Sequence, residues 1–257
     1  MKTKNILLVC LSIFIFYSCN TGTKKSKENI IEKPVEKKDT TAVTKKEAPF
    51  VYGIDVSSYQ GDETELINSK KDSIGFIFCK ATEGITYLDP KFEENWIQIK
   101  ADGFIRGTYH FYRSADDPIE QAKFFAKTIE TITDSDLAPV VDFEGGGIDQ
   151  SQSVEVIQKD LDRFLQALEK QLGRKPIIYT NIPIADKYLN DSKYTSYALW
   201  IANYVKKDQP DLPITWKDKG WTFWQRNATY KLDNFTDDSD VFNGDLSKLK
   251  SFIVEYK

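Results

Sequence analysis

Two carboxylates, two residues apart, are the first residues that could do chemistry. Pro139-Val140-Val141-Asp142-Phe143-Glu144 is an apolar run that ends acid-aromatic-acid, and Gly145-Gly146-Gly147 follows it. If the run is a strand, Asp142 and Glu144 point to one side, their Cα atoms about 6–7 Å apart, and Phe143 packs the other way. Two carboxyls held this close cannot both ionise freely. Their pKa values are pushed apart, which leaves one acid and one anion near neutral pH. Glycosidic bond cleavage needs such a pair. The same residues also fit a pair of solvated strand-end carboxylates, or part of a cation site. Ca²⁺ needs more oxygen ligands than the pair offers, and Asp55 and Asp240 could complete such a set.

Other chemistries are narrowed by what is scarce. The chain of 257 residues has one His and three Cys. A single His excludes sites with two histidine ligands, and so most catalytic zinc arrangements. His110, in an apolar strand-like run, reads as a buried imidazole satisfied by a neighbour rather than as a general base. Cys10 and Cys19 lie near the N-terminus, so Cys79 has no partner in the body of the chain. It reads as a small buried hydrophobe. No metal and no cofactor are expected. The net charge of −4 gives no support for nucleic-acid binding. Aromatic residues make up 13% of the chain, which suits a large core or a glycan-binding surface and excludes a disordered chain.

The elements that must position the acids follow from residue 50 onward. Short β-branched or aromatic runs predict strands at 51–56, 75–81, 104–112, 138–143, 176–180, 197–204, 221–225 and 240–242. Helical faces lie between them. Phe92, Trp96, Ile99 and Lys100 form one, and Ala122, Phe125, Ala126 and Ile129 another. Val154, Ile157, Leu161, Phe164, Leu165 and Leu168 form a third at helical spacing. A last helix is expected over about 245–256. Strands alternating with helices predict an α/β fold with a parallel sheet. About eight strands in this length predict an irregular (β/α) TIM-like barrel, with fewer helices in its C-terminal part. Chemistry in such barrels sits at the C-terminal strand ends. Asp55, Asp142 and Glu144 fall there, with Tyr109, Tyr179, Trp200, Tyr204, Trp224 and Gln225 at or near other strand ends. As a set, these aromatics favour a groove that stacks on sugar rings, although each alone suits an ordinary core.

A series of motifs resembles one family. Gly53-Ile54-Asp55-Val56-Ser57-x-x-Gln60 resembles the opening strand of the glycoside hydrolase family 25 lysozymes, with Tyr59 where Trp is common. Lys80-Ala81-Thr82-Glu83-Gly84 is similar to the end of the second strand, and Gly107-x-Tyr109-His110-Phe111 to the third. Val141-Asp142-Phe143-Glu144 resembles the catalytic D-x-E. Ile178-Tyr179-Thr180, Leu199-Trp200-Ile201-Ala202-x-Tyr204, Phe223-Trp224-Gln225 and Asp240-Val241-Phe242 follow in the family's order.

The resemblance implies a muramidase that cleaves the β-1,4 bond between N-acetylmuramic acid and N-acetylglucosamine in peptidoglycan glycan strands. It implies Glu144 as general acid and then base, and Asp142 orienting the substrate's 2-acetamido group, whose oxygen attacks the anomeric carbon. Asp55 and Asp240 would flank the pair, tuning it or holding sugar hydroxyls. A rival mechanism makes one aspartate the nucleophile or the base. Two other functions fit the residues: a non-catalytic glycan-binding lipoprotein, and a hydrolase of another 2-acetamido glycan.

The N-terminus addresses location. Lys2 and Lys4 precede an apolar run from Ile6 to Tyr17, too short to span a bilayer. With Ser18-Cys19 after it, the segment reads as a lipoprotein export signal over 1–19, with Cys19 acylated. Residues 20–49 hold eight Lys, five acidic residues and no aromatic. They are expected to form a disordered tether. That leaves 25 basic and 34 acidic residues from position 50 onward, an acidic domain of −9 on a basic stalk. The expected product is exported, monomeric and lipid-anchored to the cell envelope. Asn20 in place of the aspartate linked to inner-membrane retention favours the outer membrane.

Overall fold

The computed structural model describes residues 50–60, 74–232 and 235–257. The chain divides into two units, Met1–Lys45 and Lys46–Lys257, and the described residues lie in the second. The export segment, Cys19 and the tether lie outside the described residues.

The described part is a closed barrel of eight strands with five α-helices. In chain order the elements are β1 (Val51–Val56), β2 (Ile74–Glu83), β3 (Tyr87–Leu88), α1 (Phe92–Ala101), β4 (Ile105–Phe111), α2 (Pro118–Thr128), β5 (Val140–Asp142), α3 (Val154–Leu172), β6 (Ile177–Asn181), α4 (Ile182–Tyr188), β7 (Leu199–Ala202), β8 (Phe223–Leu232), β9 (Phe235–Phe242) and α5 (Leu246–Glu255). The sheet order is β1-β9-β8-β7-β6-β5-β4-β2-β3, and β1 also pairs with β2, which closes the barrel and leaves β3 as a short flap on β2.

One expectation is corrected here. The sheet is mixed rather than all parallel, because β9 runs antiparallel to both β8 and β1. Only Asp233 and Asn234 separate β8 from β9. A two-residue link cannot make the crossover that a parallel neighbour requires. Strand β9 also starts earlier than the expected 240–242. A further helix, α4, begins directly after β6, with Asn181 capping it through Ile184 N. The thin helical coverage expected near the C-terminus is present: the segment between β7 and β8 contains only a short 3₁₀ turn, Ile214–Trp216.

Strand alternation sorts the core into two layers. Phe76, Phe78, Trp200, Phe223 and Phe242 fill the barrel interior, with Phe78 stacked on Trp200 at 4.4 Å between ring centroids. Ile77, Cys79, Val141, Ile178 and Ile201 face the helices. The Phe78 ring takes the space where Gly107 has no side chain: a Cβ there would lie 2.3 Å from the ring. The longest helix, α3, buries Ile157, Leu161, Phe164, Leu165 and Leu168. Ser153 caps its start, and Gly173 ends it in the left-handed region at φ 64°. The bottom of the barrel is closed by α5, where Leu249 and Ile253 are buried and the Tyr256 hydroxyl donates to Pro176 O at 2.7 Å.

Candidate active site

Three carboxylates meet at the open end of the barrel. Asp55 lies near the end of β1, Asp142 is the last residue of β5, and Glu144 follows two residues later in extended backbone (φ −135°, ψ 171°). Asp55 and Asp142 are buried and Glu144 is half-buried. The turn after Glu144 is built from glycines because the chain passes close to its neighbour. A Cβ on Gly147 would lie 2.0 Å from Tyr112 O.

Gln225, on β8, ties the mouth together. Its Nε2 donates to Asp55 Oδ2 at 2.7 Å. Its Oε1 accepts from the hydroxyls of Tyr179 at 2.8 Å and Tyr204 at 2.6 Å. The Asp55 carboxylate therefore has a fixed donor, and two tyrosines are aimed by a single amide. Asp55, Tyr109, Asp142, Tyr179 and Trp200 line a small cavity of about 30 Å³ at the floor. A polar cavity of this size has room for a water-sized group.

Burial pushes the Asp142 carboxyl well above the usual carboxylate range, and the charge of Glu144 adds to it. Asp55 and Glu83 push the same way, while Lys80 opposes them. Asp142 Oδ1 has no hydrogen-bond partner among the described residues. Asp142 therefore holds a proton at a pH where an isolated carboxylate has lost its own. Tyr109 and Tyr179 are pushed up by burial and by these carboxylates, so both remain protonated donors.

Not every expected residue faces the mouth. Trp224 points outward, and this corrects its place in a sugar-binding groove. It is fully buried against Trp221, with its Nε1 donating to Asn203 O at 2.7 Å. Adjacent strand residues face opposite sides, so Gln225 facing in obliges Trp224 to face out. Asp240 lies beside the mouth, at the level of Gln225. On antiparallel β9 it stands opposite Gly53 of β1 and opposite Gln225 of β8, and it is fully buried. It accepts from Trp200 Nε1 at 2.9 Å and so reaches the mouth through that ring. Trp200 itself is buried, with its edge against Tyr179.

His110 faces the helices, where Thr82 Oγ1 lies 2.8 Å from Nδ1 and Gln121 Oε1 lies 3.2 Å from Nε2. Phe125 and Phe164 flank its ring. Burial pushes its pKa down to about 4, so it is a neutral core imidazole. Lys80 and Glu83 form an ion pair at 2.7 Å. Burial raises the Glu83 pKa, but the hydrogen bonds from Lys80 and Arg113 outweigh it, and the net shift is downward. Arg113 is a mouth residue that the strand patterns did not single out. The signal was a cation directly after the His110-Phe111-Tyr112 strand end.

Comparison with known proteins identifies the family. Residues 54–235 match the family model described as Glycosyl hydrolases family 25. The chain is 30% identical over 209 residues to "Uncharacterized protein YegX" of Escherichia coli K12, covering 79% of this chain and 73% of that one. It is 28% identical over 214 residues to "Lysozyme M1" of Streptomyces globisporus, covering 77% and 70%. Among solved structures, a muramidase from Acremonium alcalophilum superposes with a TM-score of 0.72 at 28% identity, covering 80% of this chain and 99% of that one. A carboxylate pair at the mouth of a closed barrel, together with a family model matched over most of the chain, shows that this protein belongs to glycosyl hydrolase family 25.

Proposed function

We propose that this glycoside hydrolase is a lysozyme that cleaves the β-1,4 bond between N-acetylmuramic acid and N-acetylglucosamine in peptidoglycan. One observation carries the reading: a half-buried Glu144 beside a buried Asp142 whose proton is held by burial and by the Glu144 charge. Relatives named lysozyme and muramidase support the substrate class.

In the proposed reaction the proton held at Asp142 passes to Glu144 as the substrate binds, which leaves Asp142 an anion, and Glu144 gives that proton to the leaving glycosidic oxygen. The carbonyl oxygen of the 2-acetamido group attacks the anomeric carbon as that bond breaks, forming a cyclic oxazolinium ion. Asp142 holds and polarises the acetamido N–H. Glu144, now an anion, takes a proton from water, which opens the ring with net retention. The route is substrate-assisted and forms no bond to the protein. Asp55, fixed by Gln225, holds sugar hydroxyls, and Tyr109, Tyr179 and Tyr204 line the groove. Asp240 acts through Trp200. Mass spectrometry of peptidoglycan digested by the purified protein tests the assignment. Fragments with reducing-end N-acetylmuramic acid are expected. Binding without release of reducing ends would replace it with a glycan-binding role, and cleavage on the other side of N-acetylglucosamine with a different glycosidase.

The same proposal places the enzyme on a membrane through an acylated Cys19, with residues 20–49 as a tether and the outer membrane as the favoured site. It is supported by Lys2, Lys4, the apolar run Ile6 to Tyr17, and a tether without aromatic residues. A Cys19→Ser variant is expected to move from the membrane fraction to the soluble fraction. Retention of that variant on membranes would remove the anchor.

A further inference from the structure

The segment that carries Glu144 is fastened from the neighbouring strand. Strand β5 ends at Asp142, and Phe143 N still donates to Tyr179 O at 2.9 Å. Glu144 lies beyond this, at the start of the Gly145–Gly147 turn. Two residues just past the end of β4 reach that turn. Arg113 Nη1 donates to Gly146 O at 2.8 Å, and Ser114 N donates to Gly147 O, also at 2.8 Å. Gly147 N in turn donates to Glu144 O at 3.0 Å.

Arg113 is itself held by several groups. Its main chain is pinned by Gln121, which accepts from Arg113 N at 2.9 Å and donates to Arg113 O at 2.9 Å. Its guanidinium lies over the Phe111 ring at 4.8 Å. Nε donates to Glu83 Oε1 at 3.0 Å, and Nη2 donates to the same oxygen. Glu83 is anchored from the other side by Lys80. A planar fork with fixed donors suits this double task better than the compact ammonium of Lys.

We infer that Arg113 is a positioning residue for Glu144, holding the turn that aims the carboxyl by joining the Gly146 carbonyl to Glu83. The inference rests on Glu144 being the acid. The guanidinium holds the Gly146 peptide of the turn, so its loss leaves the acid present but misdirected. Misplacement of a catalytic group by about 1 Å costs on the order of 100-fold in rate.

The test measures kcat and KM of the full chain on solubilised peptidoglycan for wild type, Arg113→Gln, Arg113→Lys and Glu144→Gln. Arg113→Gln is expected to lose roughly 10- to 100-fold in kcat, with KM within about twofold and an unfolding midpoint close to wild type. Arg113→Lys should recover part of the loss, because the charge and N–H donors return without the planar fork. If Arg113→Gln does not fold, Arg113→Lys carries the test, with a kcat between wild type and Glu144→Gln. Wild-type kcat in either folded Arg113 variant, or a loss confined to KM, overturns the inference. Activity remaining in Glu144→Gln overturns instead the role of Glu144, and so the two failures are distinguishable.

Discussion

Glu144→Gln removes lysozyme activity by about 10³-fold or more while the barrel stays folded. The side chain is half-buried at the mouth, so the isosteric amide keeps the shape of the site. It cannot give up a proton to the leaving oxygen, nor take one from water. Both proton transfers of the proposed cycle pass through this carboxyl, and one general acid–base contributes about 10²–10⁴-fold. A 10³-fold loss corresponds to roughly 4 kcal/mol of transition-state stabilisation. The measurement is release of reducing ends from peptidoglycan, with circular dichroism as the check on folding. A folded variant that keeps more than a tenth of wild-type activity would transfer the acid role to another group.

Asp142→Asn acts in two directions. Activity falls by about 10²–10³-fold, because the carboxyl that orients the acetamido group is lost together with the shared proton. Stability at neutral pH rises. Burial and the Glu144 charge raise the Asp142 pKa in the folded state. The unfolded chain releases this proton at the ordinary carboxylate pKa of about 3.9. Between that value and the raised one the native state binds more protons than the unfolded state, so stability falls as pH increases through the window. Asn has no proton to lose and escapes that penalty. The gain is therefore expected at pH 7 and should vanish below the ordinary carboxylate value. Urea unfolding of both proteins at pH 7 and near pH 3.5 reads it directly. Destabilisation at pH 7, or a gain that ignores pH, would show that Asp142 is not held protonated by its surroundings. A stability gain paired with lost activity is the mark of a residue kept for chemistry.

The barrel was legible because its strands are short β-branched runs and α3 keeps five core residues on one face. The acid pair was legible because residues two apart on a strand share a side. Where strand alternation was set aside, the reading failed. Trp224 and Gln225 are neighbours and cannot both face the mouth, and the structure chose the glutamine. Strand β9 was read too short and in the wrong direction. Its direction is set by the two-residue link to β8, which puts Asp240 opposite Gln225 and Gly53. The role of Arg113 is not legible in the sequence, because its partners Glu83 and Gly146 are 30 and 33 residues away.

The sequence by itself determined the fold class, the face on which Asp142 and Glu144 stand, and the absence of any two-histidine site. These follow from local periodicity and composition, which need no knowledge of what packs against what. Tertiary structure alone decided which charges meet. Gln225 reaches Asp55 across 170 positions, and Arg113 reaches the turn behind Glu144. It also decided that Asp142 is buried enough to hold its proton. Hydrogen bonding and desolvation depend on distances set when the barrel closes, and sequence spacing carries no record of them.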